Sequence, residues 1–415
     1  MNYLILASDS PEAKLVDMDF SRCLEHGGGS FIRLDPEAVY RETGLRGLED
    51  QVERLVRERD IQIVVYPLGC EFDFRPAFFA EQLKGTFRAL MVGDDEHYFD
   101  VAHRYYAQCF DLILTTNALL DRYALYGIEA EFIPGMYDGQ VFTSAPGTPK
   151  SLDISFVGAM QNKIGREEYA RALRDAGLEF QAYGLGTISG FVTRNEAIQI
   201  YRRSRINLNF TGGSVVTPFD YHLGINRRIR GVKGRCQMIA LCGSFVLSEY
   251  APGIERLFDV GKEIDVFHDK GELVDKVRYY LAHEAEREDM ASKAHTRARA
   301  QYEEREFGRR LVRSLESRAQ KKRPRQALPI YVDRIFWRGF AAWRFKYLVI
   351  FLLSLRPDLF VREMALLINA GTWSWRAACW CIGLGLHVQA RTSRLAAALA
   401  GMGRGLRRML RAARS

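Results

Sequence analysis

Short apolar runs alternate with amphipathic stretches along the first 145 residues of the chain. The apolar runs lie at residues 3–8, 30–34, 61–66, 87–92 and 111–115. The stretches between them repeat apolar residues at helical spacing, at 48–57, 98–109 and 118–126. Short strands separated by helices in this manner predict βαβ units. Because the crossovers of such units are right-handed, we expect a doubly wound parallel sheet in this part of the chain.

The same alternation begins again after residues 144–151, a stretch rich in proline, glycine and serine that predicts a linker. Further apolar runs lie at residues 153–157, 179–183, 206–210, 237–240, 244–247 and 263–267, with helices predicted over 167–176 and 273–318. We therefore predict an α/β protein with two Rossmann-like domains, residues 1–146 and 147–320, and a cleft between them. In open α/β sheets ligands bind beyond the carboxyl ends of the strands, so the functional residues are expected in the loops that follow strands.

Residues 321–415 differ from the rest of the chain in charge and composition. They hold 18 Lys and Arg against three Asp and Glu, whereas the first 320 residues hold 41 against 48, and they contain all five tryptophans. Their uncharged runs are shorter than the roughly 18 residues that a membrane-spanning helix needs. Residues 395–410 place Leu and Met on one helical face and Arg on the other. We predict a basic, aromatic-rich helical tail in the interface of an anionic membrane; the alternative is a helix packed on the protein body.

Composition and missing motifs disfavour several classes of protein. The apolar fraction of 47% and the charged fraction of 27% are ordinary for a globular protein. The seven cysteines are scattered and form no CxxC pair, which argues against a disulfide framework and against a structural zinc site. The dinucleotide-binding, P-loop and nucleophile-elbow motifs are absent from the sequence. The first residues show no signal-peptide pattern, so we expect a cytoplasmic protein, peripheral on the inner face of the plasma membrane.

Two groups of charged residues follow predicted strands. Asp94 and Asp95 stand just past the strand predicted at 87–92, where carboxylates act as general bases or hold substrate hydroxyls; the alternative is capping of the next helix. In the second domain Gly158 ends a strand, and Lys163 and Arg166 stand at the start of the following helix. A glycine that permits close approach, a helix N-terminus and two cations suit a diphosphate.

The most informative segment covers residues 232–267. Arg235 opens a helical segment that ends at Gly243, and a strand and a turn follow. The segment resembles the motif K-G-R-x-F-E-x-x-x-x-G-x-F-x-L-T-E-Y, followed by G-x-E and G-K-E-I-x-x-F, of GT-B glycosyltransferases of the spore-maturation (CgeB-like) type, within glycosyltransferase group 1. The matching residues are Lys233, Gly234, Arg235, Gly243, Phe245, Leu247, Glu249, Tyr250, Gly253, Glu255, Gly261, Lys262, Glu263, Ile264 and Phe267. Weaker similarity at 94–99, 115–117 and 132–135 extends the resemblance over roughly residues 85–315.

The resemblance implies a nucleotide-diphosphate sugar held mainly by the second domain, an acceptor held by the first, and transfer without a metal or a separate cofactor. Arg235 matches the family's arginine and is the main candidate for stabilising the leaving diphosphate, with Lys163 and Arg166 as the second choice. A surface cation near a helix start is the alternative for Arg235. The catalytic candidates are thus Arg235, Asp94 and Asp95. The donor-binding candidates are Gly158, Lys163, Arg166, Gln237, Gly243, Glu249 and Glu263.

One departure from the family pattern concerns the nucleotide. The family's glutamate, expected to accept hydrogen bonds from the ribose, falls on Met238, and its phenylalanine falls on Gln237. A thioether is a poor acceptor, so either Gln237 substitutes in a shifted register or binding of the nucleotide is altered or lost. We therefore expect a glycosyltransferase that moves a sugar to a glycan or lipid-linked acceptor, with a catalytically inactive GT-B scaffold as the alternative. A nucleic-acid-binding protein is a third reading, which the tryptophans among the arginines of the tail disfavour.

Overall fold

The computed structural model describes residues 1–7, 20–69, 71–118, 120–133, 135–213, 229–322 and 330–370. The strands are β1 (Asn2–Leu6), β2 (Ser30–Leu34), β3 (Ile63–Leu68), β4 (Phe87–Val92), β5 (Leu112–Thr115), β6 (Ala130–Phe132), β7 (Leu152–Val157), β8 (Phe180–Tyr183), β9 (Ser204–Asn209), β10 (Val246–Glu249) and β11 (Asp265–Phe267). The helices of the first domain's sheet are α1 (Phe20–Gly27), α2 (Pro36–Glu58), α3 (Pro76–Glu81), α4 (Asp95–Tyr98), α5 (Arg104–Ala107) and α6 (Asp121–Ala124). The later helices are α7 (Arg166–Asp175), α8 (Arg194–Arg203), α9 (Arg235–Leu241), α10 (Lys270–Ala282), α11 (Glu284–Gln301), α12 (Glu304–Gln320), α13 (Arg334–Leu353) and α14 (Pro357–Ala370).

The strands form two separate parallel sheets, which confirms the predicted two-domain α/β architecture. The first sheet has the order β2-β1-β3-β4-β5-β6 and the second the order β11-β10-β9-β7-β8. All six residues of β4 are buried, as expected for a central strand covered on both faces. Residues 237–240, grouped above with the apolar runs of the strands, lie inside α9, because their apolar side chains pack on one face of that helix.

The direction of the strands brings functional loops together at one edge of each sheet. In the first sheet β3, β4 and β5 run parallel in register, so the loops that follow them leave at the same edge. In the second sheet β7, β9 and β10 do the same. Loops after parallel strands therefore form the facing walls of a cleft between the two domains.

Helix α12 belongs by its packing to the first domain, although the predicted boundary at 320 places it in the second. Its apolar residues Phe307, Leu311 and Leu315 repeat at a spacing of four and lie buried against Tyr3 and Leu24. This apolar stripe faces the first sheet and α1, so the chain returns to its starting domain after completing the second.

The structure corrects the prediction of a membrane-interfacial tail for α13 (Arg334–Leu353). The aromatic residues of α13 repeat every three or four positions and lie buried in the first domain's core: Phe336, Phe340, Trp343, Tyr347 and Phe351. Two basic residues of α13 are also buried, Arg344 beside Glu363 at 3.6 Å and Lys346 beside Glu37 at 3.2 Å. Helix α13 is therefore part of the protein body, while the alternative raised for residues 395–410 falls outside the described residues.

The remainder of the tail, with the last three tryptophans and the helix predicted over 395–410, lies outside the described residues. Within the described ranges, no helix combines the length and the apolar character needed to cross a bilayer.

Candidate active site between the two domains

A cavity of about 490 Å³ opens between the carboxyl ends of the two sheets. The first domain contributes the loops after β3, β4 and β5, including Glu71, Asp94 and Thr116. The second domain contributes the segment that leads into α9, including Lys233 and Gln237. The cavity thus lies where the topology of two doubly wound domains places a ligand.

Lys233 crosses the cavity and pairs with two carboxylates of the first domain. Its Nζ lies 2.8 Å from Asp94 Oδ1 and 3.0 Å from Glu96 Oε1. Burial disfavours the charge on Lys233, but the two carboxylates outweigh it and raise the pKa of the amine. Burial likewise disfavours the charged form of Asp94, but the positive charge of Lys233 outweighs burial and lowers the pKa of this carboxyl. The two domains are therefore joined by charged groups at the mouth of the site.

Two glycines permit close packing at this point, Gly231 against the first domain's Glu96 and Gly234 against Tyr137. A Cβ on Gly231 would lie 1.7 Å from Glu96 Oε1, and one on Gly234 would lie 1.7 Å from the hydroxyl of Tyr137. Both distances are far inside van der Waals contact, so a larger residue at either position would push the opposing side chain away.

The structure separates the two candidate carboxylates of the first domain. Asp94 faces the cavity with a left-handed backbone (φ 47°), and its side chain makes no capping hydrogen bond to α4. Asp95 lies wholly buried, where its carboxylate accepts hydrogen bonds from Tyr123 Oη at 2.8 Å and Thr115 Oγ1 at 3.2 Å and lies 2.7 Å from His103 Nδ1. A role for Asp95 as a carboxylate facing the cleft, expected above, does not fit this position; its partners make it an internal support.

Arg235 lies at the start of α9 and reaches across the ends of two strands. Its Nε donates to Val157 O at 2.6 Å and its Nη1 to Asn209 Oδ1 at 2.7 Å. Its guanidinium lies 4.7 Å from the centre of the Phe156 ring, a cation–π contact. A Cβ on Gly158 would lie 2.6 Å from Arg235 Nη2, so the absence of a side chain at 158 makes room for the guanidinium. Burial lowers the pKa of Arg235.

A second guanidinium shares the Phe156 ring. Arg166 is buried, its Nη2 donates to Gly212 O at 3.2 Å, and its guanidinium lies 5.2 Å from the ring centre. Burial, and then the like charge of Arg235, lower the pKa of Arg166. Its hydrogen bonds tie the loop after β7 to the loop after β9, which is the wall of the cleft beside Arg235.

Lys163 completes this group of cations. Burial, and then Arg166, lower its pKa; Asp94 opposes them, and Lys233 and Arg235 act in the same direction as burial. No carboxylate among the described residues forms an ion pair with Lys163. Like charges held together in a partly buried place are stabilised by a shared anion, so Lys163, Arg166 and Arg235 form a candidate anion site.

Glu249 and Gln237 take different positions around the site. The buried Glu249 accepts hydrogen bonds from the backbone amides of Thr211 at 2.7 Å and Gly212 at 3.2 Å and from Arg230 Nε at 2.6 Å. It anchors the loop after β9 from behind. Gln237 is buried and lines the cavity itself.

Gly243 and Glu263 stand apart from the cavity. Gly243 follows the end of α9 with φ 69°, and a Cβ there would lie 2.8 Å from Ser144 Cβ. Glu263 pairs with Arg297 of α11 at 2.6 Å and accepts a hydrogen bond from the backbone amide of Asp259 at 2.7 Å. The structure thus gives both residues packing and turn contacts, and neither lines the cavity. Met238 packs against the apolar cluster of the second domain.

Sequence reasoning missed Glu71, which lines the cavity from the loop after β3. Burial, and then the nearby Asp73, raise the pKa of its carboxyl. The rule that selected Asp94, a carboxylate just past a buried strand, applies equally to Glu71 and was the signal available in the sequence. The resemblance to the family, which is weaker in the first domain, did not point to it.

Comparison with known proteins gives a family model and a fold. Residues 164–312 match the model described as glycosyl transferase-like. No curated protein matches the chain. Solved structures with a similar fold include HepE from Anabaena in complex with UDP, 12% identical, covering 76% of this chain and 99% of that one with a TM-score of 0.54. Others are sucrose-phosphate synthase from Thermosynechococcus elongatus (11% identical, covering 77% and 99%, TM-score 0.56) and a glycosyltransferase from Rickettsia africae (10% identical, covering 78% and 99%, TM-score 0.54).

These likenesses confirm the predicted fold. The chain has the GT-B architecture of two Rossmann-like domains, and it spans nearly the full length of each of these structures. The family model covers most of the second domain, from Ile164 onward, and so includes both Arg166 and Arg235.

Proposed function

We propose that the protein is a glycosyltransferase of the spore-maturation type that moves a hexosyl or related sugar from a nucleotide-diphosphate donor to a glycan or lipid-linked acceptor, without a metal. The observation that carries the proposal is the pair of guanidiniums of Arg166 and Arg235 on the Phe156 ring, with Lys163 close enough to feel both charges and that of Asp94 on the wall of the cavity. Three cations suit a diphosphate. The match of residues 164–312 to a glycosyl transferase-like model supports sugar transfer as the reaction in which that diphosphate takes part.

The donor's diphosphate lies beside Arg235 and Lys163 in this proposal. The bond from the anomeric carbon to the phosphate oxygen breaks during transfer, and negative charge grows on the departing diphosphate. Fixed cations stabilise that charge more than they stabilise the bound donor, which lowers the barrier. The first turn of α7, whose N-cap residue Gly165 provides no side-chain cap, adds positive potential next to the same loop. The backbone amide of Gly158 is not available to the diphosphate, because it already donates to Tyr183 O at 2.7 Å. The contribution of Gly158 is therefore the space left by its missing side chain.

The acceptor enters from the first domain, whose loops form the other half of the cavity. Gln237, buried in that cavity, is the proposed partner of the ribose in place of the family's glutamate. Met238, which is partly buried against the apolar cluster of the second domain, favours the alternative of an inactive scaffold that binds a nucleotide or glycan without turnover.

A screen of nucleotide-diphosphate sugars decides between the two. We expect at least one donor to bind and to release its nucleoside diphosphate, measured by a coupled assay, with and without a chelator. A donor that binds without any turnover would support the scaffold. Absence of binding by every donor would contradict both.

We also propose that the protein is peripheral on the inner face of the plasma membrane, through the outer face of α14 and the chain beyond it. The end of α13 and the exposed face of α14 present apolar side chains to solvent: Leu352, Leu353, Leu355, Val361 and Ile368. Arg362 stands among them, and residues 371–415 add eight arginines and no acidic residue. An apolar patch beside concentrated positive charge fits an anionic lipid surface.

Introducing negative charge on this apolar patch tests the membrane proposal. We expect Val361→Glu with Ile368→Glu to lower binding to phosphatidylglycerol vesicles about tenfold, because two charges then face the lipid. Ile188→Glu, which changes an exposed apolar residue of the second domain in the same way, is the matched control. Flotation that is equal for all three proteins, or equal on neutral phosphatidylcholine vesicles, would remove the proposal.

A further inference from the structure

Glu71 is a carboxylate of the first domain that lines the cavity and forms no ion pair with any residue that the structure describes. Its Oε2 accepts a hydrogen bond from the backbone amide of Gly69 at 2.7 Å. No side chain of the described ranges donates a hydrogen bond to it, whereas Asp94, on the same wall, is paired with Lys233. The cavity therefore contains one carboxylate that is held in place and still able to accept a proton.

The loop that carries Glu71 is fixed from both sides. On one side the carbonyl of Gly69 accepts from His103 Nε2 at 2.7 Å, and His103 is held by the buried Asp95 at 2.7 Å. On the other side Asp73 accepts from Trp343 Nε1 at 2.6 Å and from Tyr347 Oη at 2.7 Å. Asp95 and α13, neither of which lines the cavity, thus both position Glu71. Fixed placement of a reacting group is what catalysis requires.

The surroundings of Glu71 favour the protonated form of its carboxyl, compared with a glutamate exposed to water. Burial raises the pKa of Glu71 and the negative charge of Asp73 adds to the effect, while hydrogen bonds from the backbone amides of Glu71 and Gly69 and, after them, Lys346 oppose it. Across the cavity Asp94 and Lys233 largely balance each other. A carboxylate whose pKa is moved toward neutrality is a better proton acceptor at neutral pH than an exposed one.

We propose that Glu71 is the general base of the transfer, an inference that rests on the proposed function. As the acceptor oxygen forms its bond to the anomeric carbon, its proton passes to a carboxylate oxygen of Glu71. The bond from the anomeric carbon to the diphosphate oxygen breaks, and its electron pair leaves with the nucleoside diphosphate. Glu71 returns the proton to water after the product departs. Water itself is an acceptor in this scheme, so hydrolysis of the donor reports on the same step.

The experiment compares donor hydrolysis by the full chain and its Glu71→Gln variant, using the donor found in the screen. Removal of a general base lowers rates by about 100- to 10,000-fold, and we expect a loss in this range with the affinity for UDP unchanged within about twofold. Wild-type hydrolysis should decline at acidic pH as Glu71 takes up a proton, and the variant should lack this acidic limb. Glu81→Gln, an exposed carboxylate on α3, is the matched control.

Azide distinguishes a base from a structural residue, because the azide anion attacks without losing a proton. We expect azide to restore donor cleavage in Glu71→Ala and to form a glycosyl azide. Full activity in Glu71→Gln, or loss of activity with no rescue by azide and no change in the pH profile, would overturn the assignment of Glu71. A wild-type protein that binds no donor would overturn the proposed function instead, so the two failures are distinct.

Discussion

Replacing Arg235 with alanine should lower the rate of donor cleavage by about 100- to 1,000-fold, the loss seen when a fixed donor to developing charge is removed. The guanidinium is held by Val157 O and Asn209 Oδ1 beside the cleft, so it needs no rearrangement during the reaction. Steady-state kinetics of nucleoside diphosphate release measure the effect. Because charge on the diphosphate grows in the transition state, kcat should fall more than the affinity for the donor.

Two further variants make this result specific. Arg235→Lys keeps the charge but loses the planar, two-sided contact, so we expect only partial recovery of the rate. Arg256→Ala removes an exposed arginine of the same domain and should leave the rate unchanged. If Arg235→Ala retained as much activity as the control Arg256→Ala, the diphosphate would not lie beside Arg235.

Replacing Arg344 with alanine should lower the free energy of unfolding by about 3–5 kcal/mol, the typical cost of breaking a buried ion pair. Arg344 is fully buried, donates to Tyr40 Oη and to Phe72 O, and lies 3.6 Å from Glu363. Tyr40 Oη in turn donates to Glu363 at 2.7 Å. Loss of the guanidinium leaves a buried carboxyl without its cation and a cavity among aromatic rings. Chemical denaturation followed by fluorescence measures the change.

The control for this variant lies on the adjacent helix. Arg362 is exposed on α14, and Arg362→Ala should change the stability by less than about 0.5 kcal/mol, as surface substitutions do. A similar small change for Arg344→Ala would mean that α13 does not form part of the first domain's core. The interfacial interpretation of α13 would then return.

The fold could be predicted because its signals are local. The run at 87–92 predicts a strand, and β4 has the same bounds. Arg235 was expected to open a helix and does so in α9. Alternation of short apolar runs with helical stretches depends only on nearby residues, and it is enough to predict two parallel sheets.

The parts that sequence reasoning missed depend on partners far away in the chain. Lys346 of α13 pairs with Glu37, and Arg344 donates hydrogen bonds to Tyr40 and Phe72. These partners are close in space but lie near the start of the chain. Basic and aromatic residues alternate in the same way whether they meet lipid or a distant acidic partner, so composition predicts the wrong surroundings. Asp94 and Asp95 are neighbours in sequence, yet the left-handed backbone at Asp94 turns one side chain toward the cavity and the other into the core.

A crystal structure of the protein with UDP tests the central proposal most directly. We predict that phosphate oxygens of the nucleotide lie within hydrogen-bond distance of Arg235 Nη2 and Lys163 Nζ, beside Gly158, with the ribose toward Gln237. A nucleotide bound away from these cations, or one whose diphosphate contacts neither Arg235 nor Lys163, would contradict the proposed donor site.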